Sequence, residues 1–440
     1  MGRESSLPQR VLLDSLIAES HAFNGQEIHA DIGPGIARKR PAFRIIFPIV
    51  RLASRSRLAN MLMVAAVVLG YRVIREPNGD AEVFQYGVSD NNVSAFTRLN
   101  ECLDLRTRSA ICMNGRPIPL GARLKIAISI TPLRSAGGAL RAQRHPDPLV
   151  HLQSVLAVAA SVIFSVRPLS GNLKVVCIAC DHSPIVMALL AAARQQGKRT
   201  CYVQHAPVTE HFPPLTYDLS ILHDRASVEA YRKVSKRLNV PFNDDAVTIL
   251  PPFAEAFRAP QVDPPPYRIG ICLSFLPDKP RIKELVASLS ARRDVAGIHL
   301  RRHPRCSHDW SAIAGMPKVY LRSQQEVGVD FFAAVDIVLV PNSGVAIEAL
   351  HFGKPTFFTT GADAFRDDYY GFVVGGILPV FSAESLNAPT DFFDGGWKGR
   401  FLYHDETMIA DVYALQEKVQ MSFMKIYWEA RKARNPVCPQ

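Results

Sequence analysis

Residues 335–355 decide the fold class, and they read Val335-Asp336-Ile337-Val338-Leu339-Val340-Pro341-Asn342-Ser343-Gly344-Val345-Ala346-Ile347-Glu348-Ala349-Leu350-His351-Phe352-Gly353-Lys354-Pro355. The apolar run that ends at Val340 predicts a buried strand, and the next residues predict a tight turn. A helix is predicted over residues 343–353, because Gly353 and then Pro355 supply a stop. This succession of strand, turn and helix is typical of a parallel sheet covered by helices.

The turn inside this stretch has the chemistry of an anion site. Ser343 is the predicted N-cap, and Gly344 allows the backbone to approach a ligand closely, so the free amides of the first helical turn are predicted to bind phosphate together with Asn342. Glu348 follows Ser343 by five residues, roughly 7.5 Å along the helix axis, which suits a carboxylate that accepts ribose hydroxyls. A nucleotide is therefore the predicted ligand, and an ordinary capped helix is the alternative.

The same alternation of short apolar runs and helical stretches extends in both directions from this segment. Strands are predicted at residues 174–179, 199–203, 219–222, 267–275, 297–301, 335–340 and 356–359. Helices are predicted at residues 184–195, 226–238, 280–291 and 407–432. The fold class is therefore α/β, with doubly wound parallel sheets.

A chain of 440 residues is too long for one ordinary core and suits two α/β domains. A proline-rich break after Pro251 predicts the linker between them. The predicted parts are an N-terminal extension (1–35), a first Rossmann-like domain (36–252), the linker (253–266), a second Rossmann-like domain (267–406) and a C-terminal helix and tail (407–440) that packs back on the first domain. Two such domains facing across a cleft bind ligands beyond the carboxyl ends of their strands.

The net charge of +11 is concentrated, since residues 36–59 contain seven cationic side chains and no acid. Aliphatic and aromatic residues are interleaved with these cations. Peripheral contact with an anionic membrane surface is one interpretation, and a solvated first strand and helix is the other. Nucleic acid is not an expected partner, because no nucleic-acid-binding motif accompanies the charge.

Residues 1–19 have no apolar core of secretory-signal length, so export is not expected. The long apolar runs at 58–71 and 149–166 are predicted to be buried helices. Cys177 and Cys180 lie in an apolar run and are interpreted as part of a reduced strand. These features predict a cytoplasmic protein, with peripheral association at the inner face of the plasma membrane left open.

A second group of candidate residues follows the predicted strand at 297–301. Arg301, His303 and Arg305 stand at its carboxyl end, where imidazolium and guanidinium groups can neutralise a diphosphate leaving group without a metal. No Asp-x-Asp triplet occurs in the sequence, and neither a metal nor another cofactor is expected.

A third group belongs to the first domain. His205 follows the strand at 199–203 and has an ordinary pKa near working pH, so it is the predicted base for an acceptor hydroxyl. Glu210 and Asp181, the latter after the strand at 174–179, are the alternative bases. Asp181 is equally suited to cap the following helix.

These three groups resemble the motifs of GT-B enzymes that assemble bacterial capsule, teichoic acid and lipopolysaccharide. The resemblance covers residues 175–359 and includes CDP-glycerol glycerophosphotransferase-like proteins and sialyl-, Kdo- and polysialyltransferases. It implies that His205 is the base, that His303 with Pro304 contacts donor phosphate, and that Ser343 with Gly344 binds donor phosphate. The sequence departs from the pattern where alanine follows His205, because the family has glycine there, and it lacks the acidic motif of several sialyltransferases.

The resemblance implies a metal-independent glycosyltransferase with GT-B architecture. Its expected partners are a CMP-, CDP- or UDP-linked sugar donor and a polysaccharide or lipid-linked glycan acceptor. The alternatives are a CDP-glycerol or other alditol phosphotransferase, a UDP-sugar 2-epimerase-like isomerase, and a non-catalytic protein that binds nucleotide sugars.

Overall fold

The structure is a computed structural model that describes residues 41–70, 75–76, 81–87, 89–103, 109–111, 116–180, 183–251, 260–304, 306, 308–324, 326, 328–365, 367–393 and 412–432. All structural statements below concern these residues. Of the predicted site residues, Asp181 and Arg305 lie outside this described part of the chain.

The described residues form alternating helices and strands. The helices are α1 (Pro41–Ala53), α2 (Arg57–Gly70), α3 (Asp90–Leu103), α4 (Leu120–Ala127), α5 (Ile130–Ala142), α6 (Pro148–Val166), α7 (Pro184–Gln195), α8 (Arg225–Leu238), α9 (Lys279–Ser290), α10 (Ser311–Ala314), α11 (Gly328–Ala333), α12 (Val345–His351) and α13 (Val412–Lys432). The strands are β1 (Arg75–Glu76), β2 (Val83–Tyr86), β3 (Ser109–Ile111), β4 (Arg116–Pro117), β5 (Val175–Ile178), β6 (Arg199–Val203), β7 (Leu219–Leu222), β8 (Val247–Ile249), β9 (Tyr267–Cys272), β10 (Val295–Arg301), β11 (Val319–Leu321), β12 (Ile337–Val340) and β13 (Thr356–Phe358).

The chain divides into two compact units. Unit 1 contains residues Met1–Pro252 and Tyr413–Gln440, and unit 2 contains Phe253–Val412. Each unit has its own parallel sheet and its own apolar core. The predicted fold class, two doubly wound α/β Rossmann-like units, is therefore confirmed.

Unit 1 contains a six-stranded parallel sheet in the order β3-β2-β5-β6-β7-β8. Its strands are apolar on both sides because helices cover both faces. In β5, Val176 and Ile178 belong to one core cluster, whereas Val175 and Cys177 belong to another. This alternation follows the two-residue period of a strand and divides the core into two layers.

Helix α13 returns to unit 1 and packs on its sheet. Phe423 and Tyr427 lie in the same apolar cluster as Val83 of β2. The Tyr427 hydroxyl donates to the Glu82 carboxylate, and Arg431 Nη2 lies 3.0 Å from Glu82 Oε1. The prediction that the C-terminal helix packs back on the first domain is thus confirmed.

The basic segment at residues 36–59 was predicted to be either a membrane-contacting surface or a solvated strand and helix. No strand forms over its described residues, and residues 41–70 instead form α1 and α2.

Helix α6 is the one described helix long and apolar enough to cross a membrane. Most of its residues are buried inside unit 1, including His151, whose Nε2 lies 3.0 Å from Asn60 Oδ1. The prediction of a buried helix at residues 149–166 is confirmed.

Unit 2 contains a five-stranded parallel sheet in the order β11-β10-β9-β12-β13. Counted along the chain, this is the order third, second, first, fourth, fifth. The direction of winding therefore reverses between β9 and β12. In sheets of this kind the reversal opens a crevice at the carboxyl ends of the two strands, which is the usual position of a ligand.

Candidate functional site

The candidate donor site of unit 2 is built from the loops that follow β9, β12 and β13. The loop after β9 and the loop after β13 pair with each other. The backbone NH of Asp278 donates to the Ala362 carbonyl at 2.9 Å, and the NH of Ala364 donates to the Leu276 carbonyl at 2.9 Å. These bonds fix the two loops around the point where the strand order reverses.

Asp363 joins the third loop to this pair. Its carboxylate accepts from the Asn342 backbone NH at 3.2 Å and from Asn342 Nδ2 at 3.3 Å. The Phe365 NH donates to the same carboxylate at 3.0 Å, and the Ser274 hydroxyl also hydrogen-bonds to it. Burial raises the pKa of Asp363 to about 6, although these hydrogen bonds lower it. The residue is therefore a buried polar centre that connects the loops after β9, β12 and β13.

Asn342 is fully engaged by this network. Besides its two bonds to Asp363, its Oδ1 accepts from the Tyr369 NH at 2.6 Å. Only 6% of the residue is exposed. Asn342 therefore supports the turn, and the direct contact with phosphate expected from the sequence stays a prediction.

The turn after Asn342 differs in detail from the prediction. Gly344, and not Ser343, is the N-cap of α12, and no side chain caps this helix. Ser343 Oγ instead accepts from the Val345 NH at 3.4 Å. Within the described residues, neither the Ser343 NH nor the Gly344 NH has an acceptor. Two backbone donors are thus left at the crevice, at the start of a helix of seven residues.

Thr359 provides a further polar group beside this turn. It follows β13, and its NH donates to the Val340 carbonyl at 2.8 Å, two residues before Asn342. Its Oγ1 is buried and has no hydrogen-bond partner in the described structure. A buried hydroxyl without a partner is costly, so a ligand or water partner is expected there.

His303 stands at the carboxyl end of β10, next to the loop after β9. Its ring centroid lies 5.9 Å from that of Phe275, and Phe275 contacts Phe365 at 5.2 Å in edge-to-face geometry. The His303 carbonyl accepts from the Cys306 NH at 2.8 Å and from Gln324 Nε2 at 3.2 Å. The structure therefore holds the backbone at His303 firmly and sets its imidazole, which is partly exposed, against the aromatic side chains of the crevice.

Arg301 and Glu348 approach each other over the first residue of α11. A Cβ atom placed on Gly328 would lie 3.2 Å from Glu348 Oε2 and 4.0 Å from Arg301 Nη2, so a side chain here would compete with both groups. Arg301 also lies over the Phe331 ring at 5.4 Å and donates to the Glu326 carbonyl at 3.4 Å. Burial raises the pKa of Glu348, and the Arg301 charge opposes this rise. Arg301 thus lies near Glu348 without a described ion pair between them, and no described contact joins Arg301 to the turn at Ser343.

In unit 1, the loop that contains His205 is held by Gln204. The Gln204 amide donates to the Ala206 carbonyl and to Ser227 Oγ, both at 2.9 Å, and it accepts from the His223 NH at 2.8 Å. Since His205 follows β6 and His223 follows β7, Gln204 ties two neighbouring strand ends together. His205 is partly exposed at this edge of the sheet.

His223 is the centre of a second polar group in unit 1. Its Nε2 lies 3.4 Å from Arg98 Nη2, and Arg98 Nη1 donates to the Pro251 carbonyl at 3.4 Å. Burial lowers the pKa of His223 well below its ordinary value, and the Arg98 charge lowers it further. The next residue, Asp224, caps α8 by accepting from the Ser227 NH at 2.6 Å, and burial raises its pKa to about 7. In its neutral form, His223 can accept a hydrogen bond from Arg98 through Nε2, which places a polar contact at the carboxyl end of β7.

Glu210 is placed away from that group. Its carbonyl accepts from Arg237 Nη2 at 2.8 Å, and Arg237 belongs to the last turn of α8. Asp224 caps the opposite end of the same helix. The structure therefore does not bring Glu210 together with the polar residues at the start of α8.

Sequence reasoning missed Asp363, Gln204, His223 and Arg98. His223 had a usable signal, because it directly follows the predicted strand 219–222, as His205 follows 199–203. Gln204 directly follows the strand 199–203, but its role depends on three hydrogen bonds that its side-chain amide makes in the folded chain. Asp363 and Arg98 had no signal, since their partners lie 21 and more than 100 residues away in sequence.

No protein-family model matches the sequence, and no curated protein matches it. Among solved structures the chain is similar to CalG4, the calicheamicin glycosyltransferase, at 11% identity and a TM-score of 0.37, covering 83% of this chain and 100% of that one. A UDP-N-acetylglucosamine 2-epimerase is similar at 14% identity and a TM-score of 0.41, with 76% and 95% covered. The wall teichoic acid polymerase TagF is similar at 10% identity and a TM-score of 0.39, with 79% and 89% covered. At these identities the similarity concerns the fold alone.

Proposed function

We propose that this protein is a glycosyltransferase that moves a sugar from a nucleotide-activated donor to a surface polysaccharide or lipid-linked glycan acceptor without a metal ion. The observation that carries the proposal is the network around Asp363, which fixes three loops at the point where the strand order of unit 2 reverses. Nucleotides bind at this position in doubly wound sheets.

In the proposed site the donor diphosphate accepts hydrogen bonds from the NH groups of Ser343 and Gly344. Asn342 holds this turn in place through Asp363. Backbone donors fixed in this way offset phosphate charge at no cost of reorganisation during the reaction. The Thr359 hydroxyl, which is buried beside the same turn, is an additional donor to the ligand.

Glu348 is the proposed partner of the ribose hydroxyls. A carboxylate accepts from two hydroxyls only when it is ionised. Arg301 supports this state, because its charge opposes the rise that burial causes in the pKa of Glu348. We therefore assign Arg301 to keeping the Glu348 carboxyl group ionised, in place of the phosphate contact expected from the sequence.

The chemical step needs a base and a group that offsets the leaving charge. The acceptor oxygen forms a bond to the anomeric carbon, the bond from that carbon to the donor phosphate oxygen breaks, and the acceptor proton passes to the His205 imidazole. The released nucleotide keeps the electron pair, and His303 together with the two backbone amides offsets its charge. An imidazole suits both roles because its ordinary pKa lies near neutrality.

A thermal-shift screen against CMP, CDP, UDP, GDP and ADP tests the donor site. A ligand present at 100 times its dissociation constant adds about 2.7 kcal/mol to the free energy of unfolding, so the matching nucleotide gives a clear rise in Tm. The matching nucleotide sugar is then incubated with glycan acceptors, and nucleotide release is measured. The proposed site is overturned if none of the five nucleotides raises the Tm of the protein.

Three outcomes would replace glycosyl transfer by another function. Release of CMP from CDP-glycerol, with no release from any sugar donor, identifies an alditol phosphotransferase. Interconversion of a UDP-sugar in the absence of any acceptor identifies an isomerase. Nucleotide binding without turnover on any acceptor identifies a binding protein.

A further inference from the structure

Three helices of unit 1 present aliphatic side chains to solvent at helical spacing. On α1 these are Ile45, Ile49 and Leu52; on α2 they are Leu58 and Leu62; on α4 and the residue after it they are Leu120, Leu124 and Ile128. Each set recurs every three or four residues, so each forms a stripe along one face of its helix. Ile49, Leu62 and Ile128 are 61%, 63% and 73% exposed.

These stripes are additional to the faces that the helices bury. In α2, Asn60, Val64 and Val68 are buried, and in α4 Ile126 and Ala127 are buried. A surface helix normally has a polar face opposite its buried face. Here the outward faces are apolar as well, and apolar surface gathered on neighbouring helices marks an interaction site.

Described hydrogen bonds link α2 to α4, and the connection between α1 and α2 to α2 and α6. Arg123 of α4 donates to the Leu69 carbonyl of α2. The connection between α1 and α2 is anchored by Asn60, whose Nδ2 donates to the Ser54 carbonyl at 3.1 Å and whose Oδ1 contacts His151 of α6. We call the exposed residues of these helices the α1–α2–α4 surface.

The charged side chains around this surface are all positive. Residues 41–70 and 118–146, which contain α1, α2, α4 and α5, include no aspartate or glutamate. The exposed cations of these segments are Arg51, Arg55, Arg57, Lys125, Arg134, Arg141 and Arg144. None of them forms an ion pair with an acid of the described chain.

We propose that the α1–α2–α4 surface docks on a lipid bilayer that contains anionic phospholipids. Aliphatic side chains enter the boundary between headgroups and acyl chains, while arginine and lysine side chains bind the phosphate groups. A second copy of the chain fits this surface poorly, because a symmetric contact would bring the same cations face to face without any acid between them. The proposal is independent of the reaction that the protein catalyses.

Co-sedimentation of the full chain with vesicles tests the proposal. One set of vesicles contains phosphatidylcholine alone, and the other contains phosphatidylcholine with about a third phosphatidylglycerol. We expect binding to the anionic vesicles, weaker binding to neutral ones, and a loss of binding as salt is raised, because screening weakens the attraction of the cations.

Two variants separate the apolar and cationic contributions. The triple variant Ile49→Ser, Leu62→Ser, Leu124→Ser and the double variant Arg51→Glu, Arg55→Glu should each weaken binding to anionic vesicles at least about tenfold. The changed side chains are exposed, so thermal unfolding should be close to wild type. Matched controls on α8 of the same unit, Leu238→Ser and the pair Lys233→Glu, Lys236→Glu, should bind as wild type.

The proposal is overturned if the full chain does not sediment with anionic vesicles, or if the triple variant binds them as well as the wild type does. Equal binding to neutral and anionic vesicles removes the role given to the cations. Light scattering provides the remaining test: a wild-type dimer that the triple variant converts to a monomer, without vesicle binding by either, assigns the surface to self-association.

Discussion

The Asp363 carboxylate accepts a hydrogen bond from the backbone NH of Asn342 at 3.2 Å, and this contact joins the loop after β13 to the turn after β12. Asn342 in turn accepts from the Tyr369 NH, so the turn is held from two directions. Asn342 and Asp363 are both buried, so the positions of the Ser343 and Gly344 NH groups depend on the hydrogen bonds between these two residues. The pairing of these two buried side chains thus holds the turn that carries the proposed phosphate site.

The pH dependence of stability tests the burial of Asp363. A carboxyl whose pKa is higher in the folded chain stabilises the fold when protonated, so its contribution is complete below 3.8 and is lost as the pH rises through about 6. This difference corresponds to about 3 kcal/mol. We expect urea unfolding of Asp363→Asn between about pH 4 and pH 7 to lack this loss. An identical pH dependence in wild type and variant contradicts the prediction.

Gly344→Ala tests whether a ligand packs against the turn. Gly344 has φ −61° and ψ −18°, a conformation that alanine adopts without strain, so Tm should change little. The added methyl group takes space that the proposed phosphate needs, and the dissociation constant of the matching nucleotide should rise at least about tenfold. Gly121→Ala on α4, where a Cβ meets no atom within 4 Å, is the control. Unchanged affinity in Gly344→Ala would place the phosphate elsewhere.

His303→Ala tests the group that offsets the leaving charge. We expect kcat to fall by about two to three orders of magnitude, the usual effect of removing one fixed donor in a transition state. Folding should be nearly unaffected, because the side chain is partly exposed. The control is His299→Ala, which removes a histidine of β10 that stacks on Tyr320 of the neighbouring strand β11, and this variant should keep wild-type activity. Wild-type turnover in His303→Ala would refute the assignment.

Glu348 should make nucleotide binding depend on pH. Burial raises its pKa above the ordinary 4.5, so binding should weaken as the pH falls through that raised value, where the carboxylate becomes protonated. Arg301→Gln removes the opposing charge and should move this loss to higher pH. Isothermal titration with the matching nucleotide measures the effect, and the 2′,3′-dideoxy nucleotide should lack it. A pH dependence that persists in Glu348→Gln would assign it to another group.

His205→Ala should separate catalysis from donor binding. Loss of a general base typically lowers kcat by about two to four orders of magnitude. Nucleotide affinity should remain at the wild-type value, because His205 belongs to unit 1 and the proposed nucleotide contacts belong to unit 2. His211→Ala, on the same connection between β6 and β7, serves as the matched control. A loss of nucleotide affinity without a loss of kcat is the opposite result and would contradict the role as base.

Strand and helix positions followed well from local pattern in the segments that the structure describes. The helix Pro184–Gln195 and the strands Arg199–Val203 and Leu219–Leu222 form where predicted, since apolar runs and proline or glycine stops act locally. The N-cap of α12 lies one residue later than predicted, because Gly344 and not Ser343 immediately precedes the first helical residue, Val345. The described residues of the basic segment form α1 and not a strand, because apolar positions such as Ile45, Ile49 and Leu52 recur every three or four residues.

The amino-acid sequence was enough to predict that the chain forms parallel α/β sheets and that histidines, arginines and a Ser-Gly turn follow their strands. It could do so because hydrophobic period and turn chemistry depend on residues close together in the chain. The contacts of the folded chain were needed to show that Asp363 supports Asn342, that Arg301 lies near Glu348 and that three helices expose aliphatic stripes. Contacts of this kind join distant residues, and which face of a helix is covered depends on what packs against it.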